Sequence, residues 1–365
     1  MTPVTFSTTP LPWAPPRWRR ALVTGGAGFL GSHLCERLLD SGVEVDCADD
    51  LSTGTTDNVR HLADRPGFRL HRQDMSAPGA PDALPGPYDL VLHFAGPASP
   101  ADCLGRRLAA LAAAGPGTRN ALAVAERDRA RFLLGSAGQV YGDPAAHPQR
   151  EDCWGHADPV GPRSAHDEAK RFAEALTTAG ARARGIDAGI VRVFNTYGPR
   201  ARPDGRQALP TFVRQALAGA PLTIEGDGSQ TRTLAYVDDV VEGVLLVAAS
   251  RSVRPVNIGG DDEASVEEIA RRVIRLTGSP SRLRFRPARP HAPARRRPDT
   301  TFARELYGWA PRVAWEEGFA RTIAYFADHT TGAHSGAYTG AHKGAHRDVA
   351  TRRSSASGDL RQRPW

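Results

Sequence analysis

The sequence predicts an α/β protein built on a doubly wound parallel sheet, with a smaller C-terminal lobe. Short apolar runs alternate with helical stretches through the first half of the 365-residue chain. That alternation is typical of a parallel sheet covered by helices on both faces. The first apolar run leads directly into a glycine-rich turn. After residue 194 the loops become longer and rich in Gly, Pro and Arg, which indicates a second lobe.

The elements follow one another in a regular order. Residues 21–24 form a short apolar run before the glycine turn, and residues 32–39 after it indicate a helix. Further strand-length apolar runs then follow. They occupy residues 43–48, 68–72, 90–94, 131–135 and 190–194. In the second half we expect helices near residues 209–218, 238–250 and 264–277.

The formal net charge of +7 is confined to the two ends of the chain. Residues 1–20 carry three arginines and no acid, and six basic residues stand against two acids from residue 329 onward. The stretch between them is therefore neutral overall. A nucleic-acid enzyme carries its positive excess on the folded body, so nucleic acid is excluded as a partner.

The ends have low-complexity composition. The start is rich in proline, and residues 332–346 repeat the pattern GAHx before a polar stretch rich in Ser and Arg. Such sequence contains too little apolar surface to order itself. We therefore expect a disordered arm over residues 1–19 and a disordered tail over residues 330–365.

Composition also limits the compartment and the kinds of site. No run of eighteen apolar residues is present, which excludes a membrane-spanning helix and a membrane partner. The start lacks the apolar stretch of a secretory signal, so we expect a cytoplasmic protein. The cysteines are scattered without a CxxC pair and predict neither a disulfide framework nor a metal site. They are Cys35, Cys47, Cys103 and Cys153.

The segment TGGAGFLGSHL contains the first chemical motif, with Gly25, Gly28 and Gly31 at three-residue spacing. Such glycines permit a tight turn, close approach of the backbone to a pyrophosphate, and close packing of helix on strand. Asp49 ends the second strand, where a carboxylate accepts the hydroxyls of the adenine ribose. Its charge favours NAD over NADP, because it repels a 2′-phosphate. We predict a Rossmann-type NAD-binding domain over residues 20–190 and a substrate-binding lobe over residues 191–329.

The second motif is HDEAK, which places His166 and Lys170 four residues apart on a predicted helix. Lys170 and Lys343 are the only lysines among 47 basic residues, and Lys343 falls in the tail. A position that stays lysine in so arginine-rich a chain indicates a need for an ammonium group.

With these motifs, residues 20–326 resemble the extended short-chain dehydrogenases/reductases, the class of nucleotide-sugar epimerases, dehydratases and decarboxylases. Within the class, the chain is most similar to UDP-glucuronate decarboxylases. Several segments besides the glycine turn carry this resemblance. They are LHFAGPASP (92–100), VYGDP (140–144), HPQREDCWGHADPVGPRSAHDEAKR (147–171), RVFNTYGPR (192–200), DGR (204–206), PLTIEGDGSQTRTLAYVDD (221–239) and RRPD (296–299).

The resemblance also shows that three proton-handling positions are altered. The family uses a tyrosine and a lysine, and here His166 stands at the tyrosine position beside Lys170. Ala137 stands where the family has Ser or Thr, and Gln139 where decarboxylases have Glu. Ser136 and Tyr141 lie nearby but do not occupy the missing positions. Either His166 serves as the base, or the site has lost its ordinary oxidation step; we name His166, Lys170 and Gln139 as the candidate catalytic residues.

The resemblance implies the remaining binding residues. Asp74 and Met75 correspond to an Asp-Val pair beside the adenine, and Asp50 replaces a usual Asn. The predicted cofactor residues are Gly25, Gly28, Phe29, Leu30, Gly31, Asp49, Asp50, Thr53, Asp74, Met75, Phe94, Ala95 and Lys170. The predicted substrate residues are Pro97, Asn195, Arg206, Arg232 and Arg296. Arginine forks suit a diphosphate, because they form two parallel charge-assisted bonds.

The resemblance therefore implies an enzyme that binds NAD and a UDP-sugar, UDP-glucuronate or a relative, and forms a homodimer through a helix pair. The reference reaction is oxidation at C4, loss of the carboxylate, and reduction again by the same cofactor. A UDP-sugar 4-epimerase, which shares the first oxidation, and a non-catalytic or redirected NAD/UDP-sugar binding protein are the alternatives. A 4,6-dehydratase is disfavoured, because it needs an acid–base carboxylate where Gln139 stands.

Overall fold

A computed structural model describes residues 18–332, apart from residues 98–99, 144–145, 203–206 and 289–294. The predicted N-terminal arm and low-complexity tail lie almost entirely outside these residues. Within them, no helix is both long enough and apolar enough to span a membrane.

The centre of the molecule is a seven-stranded sheet in which all neighbouring strands run parallel. Its strands are β1 (Arg20–Thr24), β2 (Glu44–Asp49), β3 (Phe68–Arg72), β4 (Leu90–His93), β5 (Arg131–Ala137), β6 (Ala188–Val193) and β11 (Pro255–Ile258). Their order across the sheet is β3-β2-β1-β4-β5-β6-β11. The chain adds β2 and β3 on one side of β1, and then β4 and the later strands on the other side. This is the doubly wound arrangement of dinucleotide-binding proteins, and the predicted fold class is confirmed.

Six short strands lie outside this sheet and form three two-stranded pairs. They are β7 (Thr196–Tyr197) with β10 (Ala235–Tyr236), β8 (Leu222–Glu225) with β13 (Leu283–Arg286), and β9 (Thr231–Thr233) with β12 (Glu263–Ser265). All six come from the C-terminal part of the chain, where the sequence predicts a separate lobe.

Helices cover both faces of the central sheet or pack together in the C-terminal part of the chain. They are α1 (Phe29–Asp40), α2 (Pro100–Gly105), α3 (Arg107–Ala112), α4 (Thr118–Asp128), α5 (Ser164–Arg184), α6 (Ala208–Leu217), α7 (Val237–Ala249), α8 (Val266–Thr277), α9 (Thr301–Tyr307) and α10 (Trp315–Gly332). Helices α1 and α7 pack together on one face, and α4 and α5 pack together on the other. The apolar side chains on the two faces of the sheet belong to two separate buried clusters, as expected for strands that are covered on both sides.

Local sequence explains where individual helices begin and end. Helix α8 begins at a capping box, in which Ser265 and Glu268 each accept a hydrogen bond from the other's backbone N–H. It ends at Gly278, whose φ of +63° is the left-handed conformation that favours glycine. Helix α1 differs, because Gly28 precedes it and no side chain caps its first N–H groups. That exposed helix end contributes to the site described below.

The C-terminal part contributes directly to the central sheet. Strand β6 spans the predicted division between residues 190 and 191, and β11 pairs with β6 at the sheet's edge. The sequence predicts no strand at β11, because its four residues, PVNI, form a very short run between Arg254 and Gly259. The pairing with β6 stabilises this short segment as a strand.

Candidate active site

One cavity of about 290 Å³ lies where the carboxyl ends of β1, β2, β4, β5 and β6 meet. Ligands of open α/β sheets bind at this edge, near the point where the strand order reverses. Eighteen of the predicted site residues line it. They are Gly25, Gly28, Phe29, Leu30, Gly31, Asp49, Asp50, Thr53, Asp74, Met75, Phe94, Ala95, Pro97, Gln139, His166, Lys170, Asn195 and Arg296.

The glycine turn is packed so closely that side chains do not fit. A Cβ on Gly31 would lie 2.1 Å from the carbonyl oxygen of Gly25, and one on Gly25 would lie 2.6 Å from that of Phe94. Gly25 also has a φ of +70°, which L side chains rarely adopt. The turn thus brings the uncapped start of α1 to the cavity wall, where its unpaired N–H groups can bind phosphate oxygens.

Asp49 lies at the end of β2 and is held by two backbone donors. Its Oδ2 accepts the N–H of Ala27 at 3.0 Å, and its Oδ1 accepts that of Leu51 at 2.8 Å. Burial raises the pKa of Asp49, while the two N–H groups oppose this rise because they stabilise the carboxylate. The carboxyl group therefore holds a fixed position in the cavity beside the glycine turn.

His166 lies in the first turn of α5 and is 5% exposed. Its Nδ1 has no hydrogen-bond partner, and the nearest acidic atom, Oδ1 of Asp167, is 3.6 Å away. Burial lowers the pKa of His166 and outweighs the opposing effect of Asp167; Lys170 and Arg163 lower it further. The imidazole is therefore neutral at neutral pH and able to accept a proton.

Lys170 lies one helical turn after His166 and lines the same cavity. Its Nζ donates a hydrogen bond to the carbonyl oxygen of Gly135 at 2.9 Å. Burial lowers the pKa of Lys170, while the Cys103 thiol and the Glu174 carboxylate oppose that shift. One face of α5 thus directs an imidazole and an amine to the cavity together.

The segment after β5 carries the altered positions. Ala137 and Gln139 line the cavity, as does Ser136, which the sequence analysis set aside. The Ser136 hydroxyl donates to Oε1 of Glu174 at 2.6 Å, and Glu174 forms an ion pair with Arg192 at 2.8 Å. Ser136 is therefore held in this network at the cavity's edge.

Tyr141 lies outside the cavity lining and belongs to the interior behind β5. Its hydroxyl donates to Asn257 Oδ1 and accepts from Arg192 Nη1, each at 2.8 Å. Burial raises the pKa of Tyr141 to about 12. A phenol held in this way cannot replace the tyrosine that the resemblance implies at position 166.

Three guanidinium groups, of which only that of Arg296 lines the cavity, are close enough for their charges to interact. Burial is the largest cause that lowers the pKa of Arg296 to about 9, and the positive charges of Arg163 and Arg232 contribute to the same shift. Arg296 lines the cavity, and its Nη2 donates to the Gly142 carbonyl oxygen at 3.4 Å. The three charges repel one another, so an anion bound between them would be stabilised.

The other predicted substrate residues are placed in different ways. Asn195 lines the cavity, and its Nδ2 donates to the Thr233 carbonyl oxygen at 3.3 Å. Arg232 does not line it, although its charge reaches Arg296; its Nη1 donates to the Thr231 carbonyl oxygen at 2.6 Å. Arg206 lies outside the described residues.

The structure adds cavity residues that the sequence analysis did not name. Asp102 of α2 and Arg202 form an ion pair at 3.1 Å, and both side chains line the cavity. They are separated by 100 residues, so no local pattern could have joined them. Gln73, Ser76, Thr196 and Gln207 also line it.

The residues the structure describes contain no group of three or more His, Cys, Asp or Glu side chains arranged to hold a metal ion.

Comparison with known proteins agrees with this architecture. The chain matches the model of the NAD dependent epimerase/dehydratase family over residues 21–259. UDP-glucuronic acid decarboxylase 1 of Danio rerio is 41% identical over 309 residues, which cover 85% of this chain and 73% of that protein.

Solved structures of the same kind superimpose closely. UDP-glucose 4-epimerase of Thermotoga maritima, solved with UDP-glucose, has a TM-score of 0.78 and 28% identity, covering 85% of this chain and 99% of its own. UDP-glucuronic acid 4-epimerase of Bacillus cereus, solved with UDP-glucuronic acid and NAD, has a TM-score of 0.75 and 28% identity, with coverage of 85% and 99%. With the doubly wound sheet and its glycine turn, these matches show that the chain belongs to the NAD-dependent epimerase/dehydratase family.

Proposed function

We propose that the protein is an NAD-dependent enzyme that modifies a UDP-sugar, UDP-glucuronate or a relative, by oxidation at C4. One observation carries the proposal. A single cavity is lined by Asp49 and the uncapped start of α1, by His166 and Lys170 of α5, and by Arg296. It thus combines groups suited to bind a dinucleotide, to act on a sugar and to hold a diphosphate.

The residues present fit NAD. A Cβ at Gly31 or Gly25 would clash with backbone, so the glycines keep α1 close to the cavity, and no side chain competes for its first N–H groups. Those groups would bind the pyrophosphate, Asp49 the adenine ribose, and Lys170 the nicotinamide ribose. When bound, NAD would supply the hydride acceptor for the oxidation and the hydride donor for the reduction.

His166 is the proposed base. As the C4 carbon of the sugar gives up its hydride, the hydroxyl O–H bond breaks, the carbonyl forms, and the imidazole takes the proton. A buried neutral imidazole can perform this step at neutral pH. Lys170 adds a positive charge beside the ring, which disfavours imidazolium and keeps His166 unprotonated before reaction.

The arginines support a diphosphate ligand on the substrate side. Burial lowers the pKa of Arg232 and of Arg296, and neighbouring guanidinium charges add to both shifts, which supports an anionic ligand among these groups. A diphosphate would relieve this repulsion and accept charge-assisted hydrogen bonds. Asn195, which lines the same cavity, is proposed to contact the same ligand.

Incubation with NAD and a panel of UDP-sugars, followed by mass spectrometry, tests the proposal. Loss of the mass of carbon dioxide from UDP-glucuronate identifies decarboxylation. A product of unchanged mass and altered retention identifies the second candidate, a 4-epimerase, which the likeness to two UDP-sugar 4-epimerases favours. Binding of both ligands without turnover contradicts both activities and leaves a binding protein.

We expect NAD to bind at least about tenfold more tightly than NADP, because the Asp49 carboxylate repels a 2′-phosphate. Asp49 holds a fixed position through Ala27 and Leu51, so it cannot turn away from the added charge. Calorimetric titration of each cofactor measures the difference. Equal affinities would contradict this assignment of Asp49.

The resemblance implies a homodimer through a helix pair, and we propose that α3 and α5 form that pair. These helices pack against each other and expose apolar side chains to the outside. Leu108 on α3 is 83% exposed and Phe172 on α5 is 53% exposed. A second copy of the chain would remove this apolar surface from water.

Leu108→Glu is expected to convert the dimer to a monomer, because it places a charge in the apolar contact. Leu306→Glu is the matched control, since Leu306 is 53% exposed on α9, away from α3 and α5. Sedimentation analysis of the wild type and both variants measures the change. A wild-type monomer, or a dimer unaffected by Leu108→Glu, would contradict this interface.

A further inference from the structure

His166 has a neighbour whose role the proposed function leaves open. The ring lies nine-tenths buried in the first turn of α5, and its two nitrogens have different surroundings. Nδ1 is buried without a hydrogen-bond partner, and Oδ1 of Asp167 lies 3.6 Å from it. His166 also lines the cavity, so Nε2 is the nitrogen that can face a ligand.

Asp167 is itself held in place. It is 5% exposed, and Nη2 of Arg163, one helical turn earlier, lies 3.5 Å from the same Oδ1. Arg296, from the segment after β13, is also close enough to feel the charge of Asp167. The carboxylate of Asp167 thus lies between these positive groups and Nδ1 of His166.

We propose that Asp167 is a positioning residue that holds His166 in the tautomer with its proton on Nδ1, leaving the Nε2 lone pair directed to the cavity. Which imidazole nitrogen carries the proton is set by the partner of the other. A proton on Nδ1 is attracted by the carboxylate, whereas a lone pair there would be repelled by it. The 3.6 Å between Nδ1 of His166 and Oδ1 of Asp167 exceeds an ordinary hydrogen bond, so the attraction is electrostatic. It becomes a hydrogen bond if the ring moves closer to Asp167 on ligand binding.

The consequence concerns the proton taken from the sugar. The O–H bond breaks, Nε2 gains the proton, and the resulting imidazolium has two N–H groups, of which one faces Asp167. The carboxylate of Asp167 stabilises that cation and does not itself take up the proton. The use of Nε2 as a base rests on the proposed function, but the tautomer does not.

Other groups around the ring set the background against which Asp167 acts. Arg163 just before α5, Lys170 on α5 and Arg296 are positive, and the buried thiol of Cys103 on α2 lies near Lys170. His93 on β4 shares a small enclosed cavity with His166, but burial lowers the pKa of His93 to about 3. Asp167 raises the pKa of His166, whereas Lys170 and Arg163 lower it.

The test determines the tautomer directly by NMR, in full-length protein whose histidines are labelled with the heavy, NMR-active isotope of nitrogen. Long-range proton–nitrogen NMR assigns each ring nitrogen, and the signals absent from His166→Gln identify His166. We expect a proton mainly on Nδ1 in the wild type, and loss of at least about half of that population in Asp167→Asn. Glu168→Gln is the matched control, because Glu168 contacts Arg171 and not the imidazole.

A pH titration of the same spectra supplies the second readout. Removing the negative charge of Asp167 lowers the pKa of His166. The imidazole of His166 should therefore become protonated at a lower pH in Asp167→Asn than in the wild type or in Glu168→Gln. A purely structural role would not move this midpoint. A wild-type proton on Nε2, or an Asp167→Asn spectrum and titration equal to the wild type, would overturn the proposal. None of these measurements requires turnover, so a failure here is distinct from a failure of the proposed function.

Discussion

His166→Ala is expected to lower turnover by about 100-fold or more, because general-base catalysis contributes 10²–10⁴-fold in typical enzymes. NAD affinity should change little, since the glycine turn and Asp49 are proposed to bind the other parts of the cofactor. Steady-state rates with the substrate identified by mass spectrometry, together with calorimetric titration of NAD, measure the two effects. Lys170→Ala should weaken NAD binding as well, because its ammonium is proposed to hold the nicotinamide ribose.

The pH dependence of turnover follows from the same assignment. Burial lowers the pKa of His166 below its ordinary value of 6.5, so the neutral base persists to more acidic pH. Activity should fall only as pH drops through that lowered pKa, because imidazolium cannot accept a proton. Unchanged turnover in His166→Ala, or an acid limb that survives in it, would remove His166 from the mechanism.

His166→Tyr separates two explanations of the altered site. It places the phenol that the resemblance implies one helical turn before an intact Lys170. Gain of decarboxylation by this variant would show that the tyrosine is the decisive missing group. No gain would identify Ala137 and Gln139, which line the same cavity, as further obstacles.

Gly31→Ala is expected to weaken NAD binding by about 100-fold or more and to lower the free energy of unfolding by roughly 1–3 kcal/mol, the usual cost of overpacking. The new methyl group would lie 2.1 Å from the carbonyl oxygen of Gly25 and 2.7 Å from Cα of Gly26. Both are backbone atoms of the turn and cannot rotate away. Helix α1 would have to move outward, which withdraws its first N–H groups from the cavity.

Gly79→Ala is the matched control for this substitution. A Cβ at Gly79 meets nothing within 4 Å, and this glycine has no positive φ. Thermal or denaturant unfolding and calorimetric NAD titration of both variants measure the two effects. NAD binding by Gly31→Ala equal to that of Gly79→Ala would contradict the role given to the turn.

Local sequence determined the sheet and the cofactor end of the site. Strands and helices are predicted from patterns of neighbouring residues. The glycine turn is likewise a contiguous segment, and the spacing of its glycines indicates its backbone geometry. His166 and Lys170 were also placed together by sequence, because four residues on a helix return to the same face. Each of these inferences depends on separations of a few residues.

Only the tertiary structure could decide contacts between distant segments. The charges of Arg163, just before α5, and of Arg296, after β13, interact, and Asp102 pairs with Arg202 at the cavity wall. The short strand β11 forms because β6 supplies its hydrogen bonds. No periodicity records such pairings, since they arise from how the chain folds back on itself. The burial that keeps His166 neutral has the same origin, and a residue's neighbours along the chain do not determine it.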